Sequence, residues 1–321
     1  MTVYLSTLVP GIGRAQAGGD GAWSVDAVSA SLDIRCLTVD PHHPSVVWAG
    51  TQGAGVWKSS DAGLNFVASG LDGAIVKSLA VSPSTPERIY AGVKPAAMFV
   101  SEDGGMTWSE LRAFRKVRRF FWISPAERPF VAYVHAIAVS PTHPDVVVAG
   151  IEAGAVVRST DGGRSWEGHR PGSMRDCHSL AVSPDGTFFE GGYGGGARSA
   201  DAGQTWSRAA GLDRRYGWAV AADPAGDIWY LSSSRGVEAH SDRADAAIWR
   251  VSRRGRWERL AGGLPDPLNS MPYALIAGPE PGRLVAGLAN GEIWETHDRG
   301  DSWSRLPLKL PRIERAMVRI G

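Results

Sequence analysis

Cysteine is scarce, with only Cys36 and Cys177 in 321 residues. Two cysteines cannot make a disulfide framework, so reduced thiols and an intracellular, cytoplasmic setting are expected. A charge excess is also missing: 34 Lys and Arg stand against 33 Asp and Glu. A protein that grips a phosphate backbone needs a net basic surface, so nucleic acid is not expected as a partner. No apolar run approaches the length of a bilayer span, and "MTVYLSTLVPGIGRAQAGG" carries no basic stretch ahead of its short apolar segment. Neither a membrane association nor a secretory signal is expected.

What the chain has in quantity is glycine (40) and tryptophan (13). Many short strands with tight turns use that combination. One turn is written five times, as S/T-x-D-x-G-x-(S/T/N)-(W/F). The copies are Ser59-Asp61-Gly63-Phe66, Ser101-Asp103-Gly105-Trp108, Ser159-Asp161-Gly163-Trp166, Ser199-Asp201-Gly203-Trp206 and Thr296-Asp298-Gly300-Trp303. The Asp carboxylate can accept backbone N–H groups a few residues on, Gly supplies a backbone conformation that side chains resist, and the aromatic opens the next strand. These Asp residues therefore read as staples, not as catalysts.

Each turn lies inside a longer unit of four strands, as in "VHAIAVSPTHPDVVVAGIEAGAVVRSTDGGRSWEG". Units start at Ile34, Val76, Val134, Cys177, Gly217 and Pro272; the fifth keeps Gly255 and Trp257 but has lost the Asp. Residues 3–27 match the last three strands of a unit, with Trp23 in the aromatic place, and 312–321 match a first strand. Joining the two ends completes a seventh unit and removes two open sheet edges. The expected fold is all-β: a single domain, 1–321, forming a seven-bladed β-propeller of four-stranded blades.

The turns and the unit resemble the Asp-box, or BNR, repeat propellers over essentially the whole chain. That group includes sialidases, xyloglucanases, the sortilin ectodomain and the photosystem II assembly factors, and the seven-bladed single-domain layout is most similar to the last. The Arg-Ile-Pro motif of the sialidases is absent here. The resemblance implies the fold and leaves function to the residues.

In such a blade the first strand lines the central channel. Its second residue is Arg35, Lys77, His135, His178, Trp218, Tyr273 and Arg315 in the seven units. Two residues later stand Leu37, Leu79, Ile137, Leu180, Val220, Leu275 and Met317. One register is aliphatic throughout and the other polar or polar-tipped, which predicts a convergent ring at the upper mouth. Three permanent cations and two histidines on one ring favour an anionic or sugar-like ligand. The turns between second and third strands add Gln52, Lys94, Glu152, Tyr193 and Asn290 on the same face. Glu152 and Tyr193, from adjacent blades, are the candidate catalytic pair, by analogy with the tyrosine nucleophile of sialidases.

Two insertions face the same way. Residues 112–133 interleave Arg115, Lys116, Arg118 and Arg119 with Phe120, Phe121 and Trp122, a lid or a patch for a protein partner. Residues 232–247 carry Glu238, His240, Asp242 and Asp245. No cofactor is expected; a metal on His135, His178 and His240 is the alternative, disfavoured by the Lys and Arg nearby. Two functional readings result. The first is a binder of an anionic or sugar-like small molecule, with glycosidase-like hydrolysis or lyase chemistry left open. The second is a non-enzymatic assembly or scaffold protein that holds a protein partner on the same face. The sequence leaves the oligomeric state open, with a monomer the simpler expectation.

Overall fold

The computed structural model describes residues 2–8, 10–117, 122–124, 127–253, 255–313 and 315–321. It is a seven-bladed β-propeller. The innermost strands are Ile34–Val39, Ile75–Val81, Val134–Val139, Cys177–Val182, Tyr216–Ala222, Pro272–Ala277 and Met317–Ile320, here blades 1 to 7. Each touches the next, and Met317–Ile320 touches both Pro272–Ala277 and Ile34–Val39, so the ring is closed. Six blades have four antiparallel strands. Blade 3 has three, its outer edge reduced to a single bridge between Arg158 and Glu167.

Blade 7 is built from both ends of the chain. Val3–Thr7 pairs antiparallel with Met317–Ile320, with Val3 opposite Ile320 and Ser6 opposite Met317. Val3 and Leu5 are completely buried in the seam. Trp23 stacks on Tyr4 at 5.6 Å between ring centres, filling the aromatic place of the repeat.

The Asp turns hold the blades to one another. Ser159 Oγ donates to Asp161 Oδ1 (2.9 Å) and accepts the Gly163 N–H (2.8 Å), while Asp161 Oδ1 accepts the Ser165 N–H (2.8 Å). The other four turns repeat this pattern. The turn glycine has positive φ, 79° at Gly63 and 96° at Gly163. Its bare Cα also makes room for the preceding blade: a Cβ on Gly63 would meet Leu5 at 2.5 Å, and one on Gly105 would meet Trp48 at 2.5 Å. Glycine therefore serves backbone and packing at once. Between blades lie fully buried Trp48, Tyr90, Phe188, Phe189, Trp229 and Tyr230. Burying an aliphatic or aromatic side chain of this kind contributes about 1.5–3 kcal/mol. Cys36 and Cys177 are both free. Among the described residues no helix is long and apolar enough to cross a membrane.

Candidate functional site

A β-bulge recurs at one level of the propeller and shapes the mouth of the channel. In blade 1, Ile34 pairs with Thr51 and Cys36 with Gly50, so Arg35 has no partner of its own. The register shifts in the same place at Lys77, His135, His178, Trp218 and Tyr273. A bulge adds one residue to a strand and re-aims its side chain. Here it turns six side chains toward the axis. Crowding at the bulge explains glycine in the facing strand: a Cβ on Gly50 would lie 2.6 Å from Cys36 Sγ, and one on Gly92 2.4 Å from Ser78 Oγ. In blade 7 Arg315 precedes the strand, its N–H donating to Thr7 Oγ1 at 3.1 Å.

All seven ring residues line one cavity of about 470 Å³. Its floor is the aliphatic register, Leu37, Leu79, Ile137, Leu180, Val220, Leu275 and Met317. Glu127, Tyr133 and His240 also line it, and the repeat gave no sign of the first or the last. Both come from the insertions. Asp turns lie at the opposite end of the blades, since Ser59 pairs with Val47, which faces Val39 at the far end of the innermost strand.

Three sectors divide the cavity wall. Blades 1, 2 and 7 supply cations, and carboxylates of the same chain already hold them. Arg35 donates to Asp33 (2.8 Å) and to Glu127 (3.0 Å). Lys77 bonds Glu127, Lys94 donates to Glu127 Oε1 at 3.3 Å, and Arg315 reaches Asp33 at 3.2 Å. Burial opposes ionisation of Glu127, yet the Lys77 hydrogen bond and the charges of Lys77, Arg35 and Lys94 hold its carboxyl down at about 2. Burial brings the Lys77 ammonium down to about 8, although Glu127 pulls the other way. The expectation of unrelieved cations that call for an external anion is therefore corrected: Glu127 and Asp33 supply the negative charge from within.

Blades 3 and 4 form a histidine–carboxylate sector. His135 Nδ1 donates to Glu152 Oε2 at 2.9 Å. His178 Nδ1 donates to the Gly217 carbonyl at 2.7 Å, and its Nε2 faces Asp176 at 3.4 Å and Glu152 at 3.9 Å. Burial disfavours a charged His178, but Asp176, Glu152 and the Gly217 carbonyl outweigh it and raise the pKa.

Blades 5 and 6 give an aromatic wall of Tyr216, Trp218 and Tyr273, with His240 brought in by the 3-10 helix Val237–His240. Tyr273 donates to the Ala239 carbonyl (3.3 Å) and accepts from His240 Nδ1 (2.7 Å); Tyr216 donates to His240 Nε2 (2.9 Å). Burial and the His178 charge lower the His240 pKa, consistent with this neutral tautomer. His240 is thus committed to two tyrosines, and the metal alternative of His135, His178 and His240 does not assemble. Among the described residues the donors close enough to share an ion are Glu152, Asp176 and His178.

The suggested catalytic pair is not joined. Glu152 bonds His135, whereas Tyr193 is two-thirds exposed on the rim, its ring 6.3 Å from Tyr216. Among the described residues no hydrogen bond links Glu152 to Tyr193. Of the other rim residues, Gln52 bridges to Ile75 and the Asn290 N–H donates to Ser270. In insertion 112–133 the 3-10 helix Arg112–Lys116 buries Phe114, and Trp122 is buried too. Arg118, Arg119, Phe120 and Phe121 lie outside the described residues. In insertion 232–247 Asp245 pairs with the buried Arg214 and the exposed Arg235, while Glu238 and Asp242 are exposed.

The residues that hold the ring were legible one step upstream. Two positions before the ring residue stand Asp33, Tyr133, Asp176 and Tyr216 in blades 1, 3, 4 and 5. Asp33 bonds Arg35, Asp176 faces His178, and Tyr133 and Tyr216 pack on His135 and Trp218.

With this geometry, comparison with known proteins becomes informative. The chain is a seven-bladed β-propeller whose blades carry five turns of the Asp-box pattern. No family model matches it. A stretch of 160 residues is 28% identical to the photosystem II assembly lipoprotein Ycf48 of Prochlorococcus marinus, covering 49% of this chain and 43% of that protein. The chain thus matches less than half the length of that curated relative. Among solved structures, Ycf48 bound to a D1 peptide superposes over 85% of this chain and 80% of its own, with a TM-score of 0.58 and 16% identity. An ancestral GH74 enzyme covers 84% of this chain with 38% of its own, at a TM-score of 0.62 and 18% identity. Identities this low speak for the fold.

Proposed function

We propose that this propeller is a non-enzymatic assembly factor that holds a segment of a protein partner on its upper face. One observation carries the reading: Glu127, a carboxylate on a polypeptide loop, is held in the mouth by Arg35, Lys77 and Lys94. The mouth is thus built to seat polypeptide and its acidic groups. The curated relative is an assembly lipoprotein, and a solved propeller of the same architecture carries a D1 peptide. The separation of Glu152 from Tyr193 removes the one nucleophile–base pair in view. The exposed apolar groups Ile123 and Phe130 widen the same face for a partner.

Isothermal titration with a synthetic D1 peptide and with unrelated acidic peptides, alongside a thermal-shift panel of phosphate, carboxylates and sugar acids, tests this. Saturable peptide binding that weakens in Phe130→Ala supports the assembly reading. Stabilisation by a sugar acid or small carboxylate without peptide binding overturns it in favour of the small-molecule reading.

A further inference from the structure

We propose that Glu152, Asp176 and His178 form a binding site for a divalent cation of the zinc or manganese class. The three come from two neighbouring blades. His178 is the bulged residue of the innermost strand of blade 4, Glu152 sits in the turn after the second strand of blade 3, and Asp176 opens blade 4.

The donor atoms of the three lie within 4.8 Å of one another. His178 Nε2 is 3.4 Å from Asp176 Oδ2 and 3.9 Å from Glu152 Oε2, and His135 Nδ1 donates to that same Glu152 oxygen at 2.9 Å and orients it. Ligands at about 2.0–2.2 Å from a shared metal stand roughly 3.0–3.6 Å apart in octahedral or tetrahedral arrangements. A charge-assisted hydrogen bond between imidazolium and carboxylate prefers about 2.7–2.9 Å. The 3.4 Å between His178 Nε2 and Asp176 Oδ2 is longer than that bond and lies in the ligand range, and Glu152 closes its 3.9 Å by a small side-chain movement.

The supports behind the donors are those of a metal site. His178 Nδ1–H is fixed by the Gly217 carbonyl, which leaves Nε2 as the inward ligand. Asp176 Oδ1 accepts the Ala153 N–H at 2.9 Å, which leaves Oδ2 facing His178. Metal-bound histidines and carboxylates are oriented in this way by backbone partners. The His178 side chain is 1% exposed and Asp176 is 28% exposed, so the site is walled on one side and reachable from the other. Two carboxylates beside two imidazoles leave net negative charge for a dication to neutralise. Nearby cations do not oppose it, because Arg35, Lys77 and Lys94 are tied to Glu127. On binding, the ion takes the place of any proton on His178 Nε2, which leaves to solvent.

The experiment uses the full chain, stripped with EDTA and titrated separately with zinc, manganese and cobalt(II) chlorides, read by calorimetry, by melting temperature and by the cobalt visible spectrum. The expected result is one equivalent bound, with a rise in melting temperature. Asp176→Asn and Glu152→Gln, which keep size and shape, weaken binding at least tenfold. His43→Ala, which removes an exposed histidine elsewhere, leaves it unchanged. Absence of stoichiometric binding by all three ions overturns the proposal. So does binding that survives in the Glu152→Gln, Asp176→Asn double variant, which would place the ion elsewhere. Peptide binding by the metal-free chain is a separate readout, so failure here leaves the assembly reading standing.

Discussion

Arg35 Nη1 holds Glu127 Oε2 at 3.0 Å across the mouth of the channel, joining blade 1 to an insertion 92 positions further along the chain. The insertion thereby plugs the cationic sector with its own acid.

Removing that acid should create the anion site that the wild-type chain fills internally. In Glu127→Ala, Lys77 and Lys94 lose their counter-charge while staying largely buried. An uncompensated buried ammonium is costly, so the melting temperature should fall. Phosphate or sulfate should restore much of the loss in Glu127→Ala and do little for the wild type. Equal anion responses in both proteins would show that Glu127 does not neutralise the sector.

Glu190 sets a pH dependence far from the mouth. Its carboxyl is completely buried in blade 4; Oε1 accepts the Met174 N–H and Oε2 has no partner. Burial pushes its pKa up to about 8, against the lowering by the Met174 N–H. An unfolded glutamate titrates near ~4.3. Between these values the folded chain retains a proton that the unfolded chain has released. Stability from this group is therefore full below the lower value and is lost as pH rises toward the upper one. Glu190→Gln cannot ionise and keeps an oxygen for the Met174 N–H. Its melting temperature should exceed the wild type's at alkaline pH and converge with it near the unfolded pKa. A difference that does not change with pH would place the wild-type proton elsewhere.

Sequence and structure agree where the chain repeats itself. Seven-fold alignment revealed the ring from Arg35 to Arg315 and the aliphatic floor below it, because each blade poses the same packing problem and solves it with the same register. Repetition also hid the bulges, since an extra residue present in six strands alters no spacing between units. Glu127 and His240 were beyond alignment, as each lies in an insertion with no counterpart in other blades. His240 was counted among metal ligands because residue type alone cannot show that Tyr216 and Tyr273 already bond both of its nitrogens. The charge of the ring misled for a similar reason: its cations were read without the loop acid that covers them.

The Asp turns should be more sensitive at serine than at aspartate. Ser159 Oγ is the buried hub, accepting the N–H groups of Gly163 and Asp161 (2.8 and 3.3 Å), whereas the bonds of Asp161 to Ser165 are exposed. Ser159→Ala leaves the buried Gly163 N–H unsatisfied, which costs about 1–3 kcal/mol. Asp161→Ala gives its groups to water and should cost less. Denaturant unfolding of the two variants ranks them. A larger loss in Asp161→Ala would make the carboxylate the principal clasp.

The closing blade should behave as core and not as a loose clasp. Leu5 is completely buried between Met317–Ile320 and Ile12–Ala17 and fills the space left by Gly63 of blade 1. Truncating a buried leucine to alanine costs about 2–5 kcal/mol, the upper part of that range where neighbours cannot collapse. Collapse is hindered here, because Gly63 is fixed by its hydrogen bond to Ser59 at 2.9 Å and by its positive φ. Leu5→Ala should therefore lose several kcal/mol in denaturant unfolding, as much as a comparable change in an interior blade such as Val148→Ala beside Gly203. Deleting 317–321 should be worse, because it leaves the backbone of Val3–Thr7 without its partner strand and opens the ring. A truncated chain that keeps the wild-type melting temperature would mean that the ring does not depend on the pairing of Val3 with Ile320.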